Sequence, residues 1–270
     1  MKTTNTSPLL ATLVGGSLMI ASQASATVVA TENFDSYTSS SHPSYPTSSE
    51  LDGQGGWVMS SNGTHIRDDL TNGSLSGNVA YNNSATAGVG YRDDGGPYLS
   101  ASTTSVVFEM TGRVGNNRFS RAGVGFNDGG TFSQGVLMGA GAASGFIVYL
   151  GPSFTAVASS TDGYATAAGA NVLGVVDMRL TIDLVNELGT FEYSLNGSTW
   201  LTPSGMSDFD MSALNTSATD GTNWLNWDSL SLRSIRSGDI TDNLAFSAVP
   251  EPSSALLGLI GLSMILRRRR

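Results

Sequence analysis

Polar and apolar residues alternate along much of the chain, which is the two-residue period of β-strands. The clearest run covers residues 177–184, where every second residue is apolar. A second run carries Phe191, Tyr193 and Leu195 on one face, and Asn196-Gly197 then predicts a hairpin with a type I′ turn. Further strands are predicted over residues 106–110, 119–126, 134–138, 145–150, 224–235 and 243–249.

Short strands without helical periods between them predict an all-β fold, an antiparallel sandwich or barrel. The 33 glycines and the low charged fraction of 13% suit strands joined by tight turns. Residues 27–248 are numerous enough for one such domain with its own core. Residues 42–49 and 204–222 lack periodicity and are predicted as loops, with 208–212 as one helical turn or a loop.

The C-terminal end has a different pattern. Val249, Pro250, Glu251 and Pro252 precede an uncharged apolar run over residues 253–266, and Arg267, Arg268, Arg269 and Arg270 end the sequence. The prolines favour an extended strip that a processing enzyme could bind. As a helix the apolar run would measure about 21 Å, less than a bilayer core of about 30 Å, and the arginines favour a cytoplasmic end. The alternative is a helix docked on the protein's own core, which suits a terminal arginine block poorly.

The N-terminal end is typical of a secretory signal peptide. Lys2 precedes an apolar stretch over residues 9–20, and Ala24-Ser25-Ala26 is a small-x-small site for signal peptidase. Cleavage there removes residues 1–26. A retained N-terminal anchor is the alternative, although Gly15-Gly16-Ser17 interrupts a short apolar region.

The order of Pro-Glu-Pro, apolar segment and basic end resembles the sorting signal of the PEP-CTERM family, here over residues 249–270. The resemblance implies a Gram-negative bacterium, export, transient insertion in the inner membrane and processing by an exosortase. It also implies a final place at the cell surface or in the extracellular matrix. Because the family is associated with exopolysaccharide-producing bacteria, a structural or adhesive role in that matrix is the leading functional hypothesis.

The exported body is strongly acidic. Without Lys2 and the terminal arginines, eight basic residues stand against 21 acids in residues 27–248, a net charge of about −13. Such a body would be repelled by nucleic acid and by anionic lipid, so we expect no nucleic-acid partner. There is no cysteine, which excludes disulfides and thiolate metal sites.

Three segments resemble the opening and closing strands of concanavalin A-like and laminin G-like jelly rolls: 32–37 (ENFDSY), 51–57 (LDGQGGW) and 242–246 (DNLAF). The resemblance implies that the first and last strands lie side by side. It also implies a structural calcium held by a carboxylate of the last strand, here Asp242, with Glu32 or a backbone carbonyl nearby. The alternative is that Asp242 caps a turn.

Catalytic residues are not predicted, and we expect no enzyme activity. The β-glucanases that share this fold carry Glu-x-Asp-x-x-Glu on one strand, which this chain lacks. Glu109 is isolated, and a turn-like segment separates Glu187 from Glu192. A glycoside-acting enzyme stays as one alternative to the matrix role.

A carbohydrate-binding module without catalysis is the other alternative. Trp57, Trp224 and Trp227 could present flat faces to sugar rings. The opposing interpretation is that these tryptophans belong to the core, which the shared parity of Trp227 and Leu225 favours.

Overall fold

A computed structural model describes residues 26–39, 50–60, 64–68, 77–82, 88–113, 120–141, 145–164, 175–234 and 240–250. The signal peptide before Ala26, the loop at 42–49 and the sorting signal from Glu251 onward lie outside these residues and stay predictions. Among the described residues, no helix has the length and apolar character needed to cross a membrane.

The described residues contain sixteen strands, all paired antiparallel. In chain order they are β1 (Thr27–Glu32), β2 (Trp57–Met59), β3 (Thr64–Asp68), β4 (Asn78–Asn82), β5 (Gly88–Asp93), β6 (Thr103–Arg113), β7 (Arg121–Asp128), β8 (Thr131–Gly141), β9 (Gly145–Leu150), β10 (Thr155–Ser160), β11 (Val175–Asp183), β12 (Leu188–Ser194), β13 (Trp200–Leu201), β14 (Phe209–Asp210), β15 (Ser229–Ser234) and β16 (Ile240–Pro250).

The strands form two sheets. Sheet A has the order β13-β12-β11-β6-β16-β4-β3, with β1 added to β16 and β14 added to β12. Sheet B has the order β10-β9-β8-β7-β15-β5-β2. The first and last strands lie side by side, with Glu32 opposite Leu244. The predicted all-β fold with antiparallel pairing is confirmed.

The core lies between the sheets. Phe146 of sheet B stacks on Tyr193 of sheet A with ring centroids 4.7 Å apart, and it also contacts Phe191 at 5.3 Å. Trp227 meets Phe246 of β16 edge-on at 6.0 Å. In β11 the buried residues alternate as the sequence predicts, because one face of this strand packs on the core and the other faces outward.

Two local predictions fail at turns. The β12–β13 hairpin exists, but five residues join its strands, and Asn196 is not in the left-handed region that a type I′ turn requires. Instead, the Asn196 side-chain oxygen accepts from the backbone N–H groups of Ser198 and Thr199 at 3.0 Å each. Leu195 lies in this loop and is 39% exposed, so it does not share the buried face of Phe191 and Tyr193.

Two irregular segments also differ from the prediction. Trp224–Asn226 forms a 3-10 turn, since Asn223 caps it by accepting from Leu225 N, and the strand begins only at Ser229. Within residues 208–212, Phe209–Asp210 is a short strand that pairs with β12, and it is neither a helical turn nor a plain loop.

Candidate functional site

The candidate site lies on the outer face of sheet B, which is the face opposite the core. Leu230 and Leu232 of β15 belong to the core cluster, so Ser231 and Arg233 point to the opposite face. Ser231 lies opposite Tyr91 of β5 and Gly123 of β7. These three residues form one row across the outer face of the sheet.

A groove of about 390 Å³ lies on this face, and we call it the aromatic groove. Its lining is Val58, Met59, Ser60, Val89, Tyr91, Gly130, Phe132, Gln134, Pro152 and Phe154. Tyr91 and Phe132 stack in parallel, with ring centroids 5.0 Å apart and planes 5° apart. Both rings are half-buried, so part of each remains open to a ligand.

Phe132 reaches the groove because of the tight β7–β8 turn. Gly129 and Gly130 of this turn have φ of 59° and 105°, a conformation that glycine adopts without steric cost. The Phe132 ring then lies over Gly125, where an added Cβ would sit 2.6 Å from the ring carbons. The absence of a side chain at Gly125 therefore makes room for the ring.

Phe154 forms another part of the groove and comes from the β9–β10 turn. Its backbone N–H donates to Gly151 O at 3.1 Å, and its own φ is 51°, which is unusual for a bulky residue. The ring is held by two contacts. The Arg233 guanidinium lies 3.7 Å from its centroid, and Tyr149 meets it edge-on at 6.4 Å.

The Gln134 side chain lines the groove and uses both its amide nitrogen and its amide oxygen in hydrogen bonds. Its Nε2 donates to Val124 O at 3.1 Å and Val136 O at 2.7 Å, and its Oε1 accepts from Ser231 Oγ at 3.2 Å. These bonds stabilise an irregularity in the β7–β8 register at Val124 and Gly125. Gln134 is therefore a structural part of the groove.

A second cleft, of about 370 Å³, lies on sheet A. Arg179 is its centre: Nε donates to Glu109 Oε1 at 2.8 Å, and Nη1 lies 3.6 Å from Glu192 Oε2. The same guanidinium stacks on the Trp200 ring at 3.8 Å. The polar side chains of this cleft on sheet A thus already bind one another.

The acids considered for catalysis are placed unfavourably for that role. The Arg179 guanidinium lies between Glu109 and Glu192, where a scissile bond would have to lie. Glu187 sits in the β11–β12 turn with φ of 56° and lines a different cleft near Trp224. The absence of enzyme activity nevertheless stays a prediction.

The tryptophans predicted for ligand binding separate into two groups. Trp57 and Trp227 are fully buried, and their indole N–H groups donate to Glu32 Oε2 at 3.1 Å and to Gly221 O at 2.8 Å. A buried ring cannot present a face to a sugar, so the ligand-binding prediction is wrong for these two and the core interpretation applies. Trp224 is half-buried and lines a cleft of about 430 Å³ beside Leu214 and Asn215.

Glu32 and Asp242, the predicted calcium ligands, lie in the region where β1 and β16 pair, but their surroundings differ. Glu32 accepts from Arg92 Nη1 at 2.7 Å, Phe34 N at 2.8 Å, Trp57 Nε1 and the Tyr37 hydroxyl. These donors occupy the carboxylate, so Glu32 does not fit a cation ligand.

Asp242 is different because its Oδ1 is buried and has no hydrogen-bond partner. Burial raises the pKa of Asp242 to about 7, and the negative charges of Asp35 and Glu32 add to the shift. No group of three or more acidic or histidine side chains that could hold a metal occurs among the described residues. Of the two predicted calcium ligands, only Asp242 thus has a carboxylate oxygen without a hydrogen-bond partner.

No protein-family model matches this chain, and a search of curated protein sequences finds no relative. Solved structures with a similar arrangement include arcelin-5, a lectin-like defence protein of Phaseolus vulgaris, at 10% identity and a TM-score of 0.42, covering 75% of this chain and 96% of arcelin-5. Another is the CBM2 module of the evolved Dit protein of Lactobacillus casei BL23 phage J-1, at 13% identity and a TM-score of 0.43, covering 84% and 98%. With TM-scores below 0.5, these likenesses assign neither a fold family nor a function.

The residues of the aromatic groove were not predicted from the sequence. Tyr91 alternates with Val89 in a glycine-rich run, and Asp128-Gly129-Gly130 before Phe132 is a hairpin signal. These two signals would have found β5 and the β7–β8 turn. Nothing local to the sequence indicates that Tyr91, Phe132 and Phe154 meet.

Proposed function

We propose that this protein is an exported, adhesive component of a polysaccharide matrix and that it binds glycan in the aromatic groove of sheet B. The observation that carries the proposal is the parallel Tyr91–Phe132 pair, set beside Phe154 in a groove of about 390 Å³. Sugar rings bury their C–H faces against aromatic side chains, and such sites combine apolar walls with few polar groups.

The groove also supplies polar groups at its rim. Ser60 Oγ accepts from Val89 N at 2.9 Å, so its hydroxyl hydrogen stays available for a sugar oxygen. Tyr91 adds a phenolic hydroxyl. Rigid aromatic rings lose little conformational freedom on binding, which favours this groove over the ion-paired cleft on sheet A.

The proposal is tested on a polysaccharide array with three proteins: wild type, Phe132→Ala and Trp200→Ala. Phe132→Ala removes half of the stacked pair, and we expect saturable glycan binding to weaken about five- to twelvefold, as stacking contributes about 1–1.5 kcal/mol. Trp200→Ala is the matched control, since it removes a larger half-buried ring from the other sheet. Equal loss in both variants, or none in Phe132→Ala with the unfolding temperature unchanged, contradicts the proposal.

Sorting by an exosortase belongs to the same proposal and is supported by the sequence of residues 249–270. Intact-mass analysis of membrane, surface and medium fractions of the native host tests it. We expect a species that begins at Thr27 and ends between Pro250 and Pro252, bare or with added mass. A membrane-held species that still ends at Arg270 would show that the tail is an ordinary anchor.

We also propose that the protein binds without catalysis, a view supported by the position of Arg179 between Glu109 and Glu192. Release of reducing sugar from any bound polysaccharide tests this. If sugar is released, the Glu109→Gln and Glu192→Gln variants show whether these acids carry the reaction.

We further propose that a structural calcium binds at Asp242, whose Oδ1 lacks a hydrogen-bond partner. Asp35 is the second carboxylate in electrostatic reach, and its Oδ1 accepts from Asn78 N at 3.0 Å. Calcium would neutralise these acids and join the last strand to the turn that follows the first strand. We expect 1 mM Ca²⁺ at pH 8 to raise the unfolding temperature of wild type and not that of Asp242→Asn. Equal shifts would exclude Asp242 as a ligand.

A further inference from the structure

Arg233 lies beside the aromatic groove. It follows the inward-facing Leu232 on β15, and its cross-strand neighbours are Val89, which lines the groove, and Arg121. Its guanidinium stacks 3.7 Å from the centroid of Phe154, another groove residue. The charge of Arg233 is therefore fixed at one side of the groove.

The charge of Arg233 has no acidic partner within the described part of the chain. There, ion pairs join Arg92 to Glu32 and Asp94, and Arg179 to Glu109 and Glu192. Arg233 is half-buried, and burial lowers its pKa without an opposing carboxylate. A partly desolvated cation of this kind gains from an anion that arrives with a ligand.

A second arginine, Arg121, lies next to Arg233. It is the direct cross-strand neighbour of Arg233, and its guanidinium stacks on Tyr149 at 4.8 Å. Only eight basic residues occur in residues 27–248, against 21 acids. Two of the eight are thus cross-strand neighbours on the sheet that carries the groove, and Arg233 is the more exposed of the two.

We infer that the aromatic groove binds an acidic polysaccharide, with Arg233 pairing the anionic groups of its sugars while the aromatic rings stack on the sugar faces. This inference rests on the proposed glycan-binding function and names the class of glycan. Arginine forms bidentate hydrogen bonds with carboxylate and sulfate groups. Stacking on Phe154 holds the planar guanidinium of Arg233 in one orientation. Salt at 0.15 M screens charges beyond about 8 Å, which weakens the repulsion between an anionic glycan and the acids of the body outside that range.

The test compares two ligands with the same sugar backbone: polygalacturonate oligosaccharides, which are charged, and their methyl esters, which are neutral and carry one methyl group more per sugar. The full-length protein should bind the acid form at least about tenfold more tightly, and this preference should shrink as salt is raised. A neutral cello-oligosaccharide and a duplex DNA of similar length serve as further probes.

Protein variants locate the effect. Arg233→Met keeps a long apolar side chain next to Phe154 and should abolish the preference for the acid form, whereas Arg233→Lys keeps the charge and should retain part of it. Arg179→Gln is the control, because it removes one charge from sheet A and should leave the preference unchanged. The ligand comparison needs no variant, so the inference can fail even if Arg233→Met does not fold.

The outcomes distinguish a failure of the acidic-glycan inference from a failure of the proposed glycan binding. Equal or tighter binding of the ester or the neutral glycan overturns the inference and leaves the proposed glycan binding intact. Binding of no glycan at all overturns both. A preference for DNA, or a preference for the acid form that persists in a folded Arg233→Met protein, also overturns the assignment of an acidic glycan to this groove.

Discussion

Replacing Glu32 by Gln perturbs a buried charge at the centre of four hydrogen bonds. The carboxylate is only 6% exposed, and it accepts from Arg92 Nη1 at 2.7 Å and Phe34 N at 2.8 Å, as well as from Trp57 and Tyr37. The amide of Gln has nearly the same shape and offers one acceptor oxygen. Its NH₂ group would face donors, so at least one bond is lost.

The loss of stability in Glu32→Gln depends on which acidic groups still neutralise Arg92. Removing one partner of a buried ion pair costs about 3–5 kcal/mol, because a charge is left without compensation. Arg92 keeps Asp94, which accepts from its Nε at 2.7 Å and from its Nη2 at 2.9 Å. We therefore expect Glu32→Gln to lower the free energy of unfolding by about 3 kcal/mol, the lower end of that range. For a domain of this size, this loss lowers the unfolding temperature by about 6–12 °C.

Urea unfolding followed by tryptophan fluorescence measures the loss, since Trp57 contacts Glu32 directly. Glu192→Gln is the matched control. Its ion pair with Arg179 spans 3.6 Å between groups that are 25% and 28% exposed, and such pairs contribute about 1 kcal/mol or less. If Glu32→Gln is no more destabilising than Glu192→Gln, the reasoning about the buried charge is refuted.

Three further predictions follow from single contacts. Gly125→Ala forces its Cβ against Phe132 and Ser133 O at 2.6 Å, so we expect a loss of about 1–3 kcal/mol in urea unfolding together with weaker glycan binding, whereas Gly96→Ala, which meets open space, should change neither. Asp242 has a folded pKa of about 7 against an ordinary value of 3.8, so the folded state holds its proton more tightly, and wild-type stability should fall as pH rises from about 4 to 7. Asp242→Asn should lack this fall and gain up to about 4 kcal/mol on wild type by pH 8, and parallel pH profiles would contradict it. Trp227→Ala should cost about 3–5 kcal/mol by calorimetry, because the ring is fully buried, and a smaller effect would argue against its place in the core.

The strands that the sequence predicts well are those with one face on the core over many residues. β6 and β11 run for 11 and 9 residues, and their buried side chains alternate with outward-facing ones over most of that length. The alternation is imposed by burial, so it can be read from sequence. β2 has only three residues, and β5 has glycine at two of its six positions, so neither offers enough side chains to show a period.

The candidate site was missed for a different reason. Tyr91, Phe132 and Phe154 lie on separate segments, and each has the local pattern of an ordinary half-buried residue. Their meeting depends on sheet order, which puts β15 between β5 and β7. The size of the tryptophan rings favours them as candidates from sequence, but size also favours burial, as Trp57 and Trp227 show.

The backbone at Phe154 links the groove to the fold. A bulky residue with φ of 51° costs about 1–2 kcal/mol relative to an ordinary conformation, and such strain persists only where the surroundings fix it. Here Arg233 covers the ring and Tyr149 meets its edge. The turn that carries Phe154 thus depends on the same arginine that is proposed to bind the ligand. Arg233 therefore has two roles that the variants separate, since Met can replace part of the packing against Phe154 and only a cation can replace the charge.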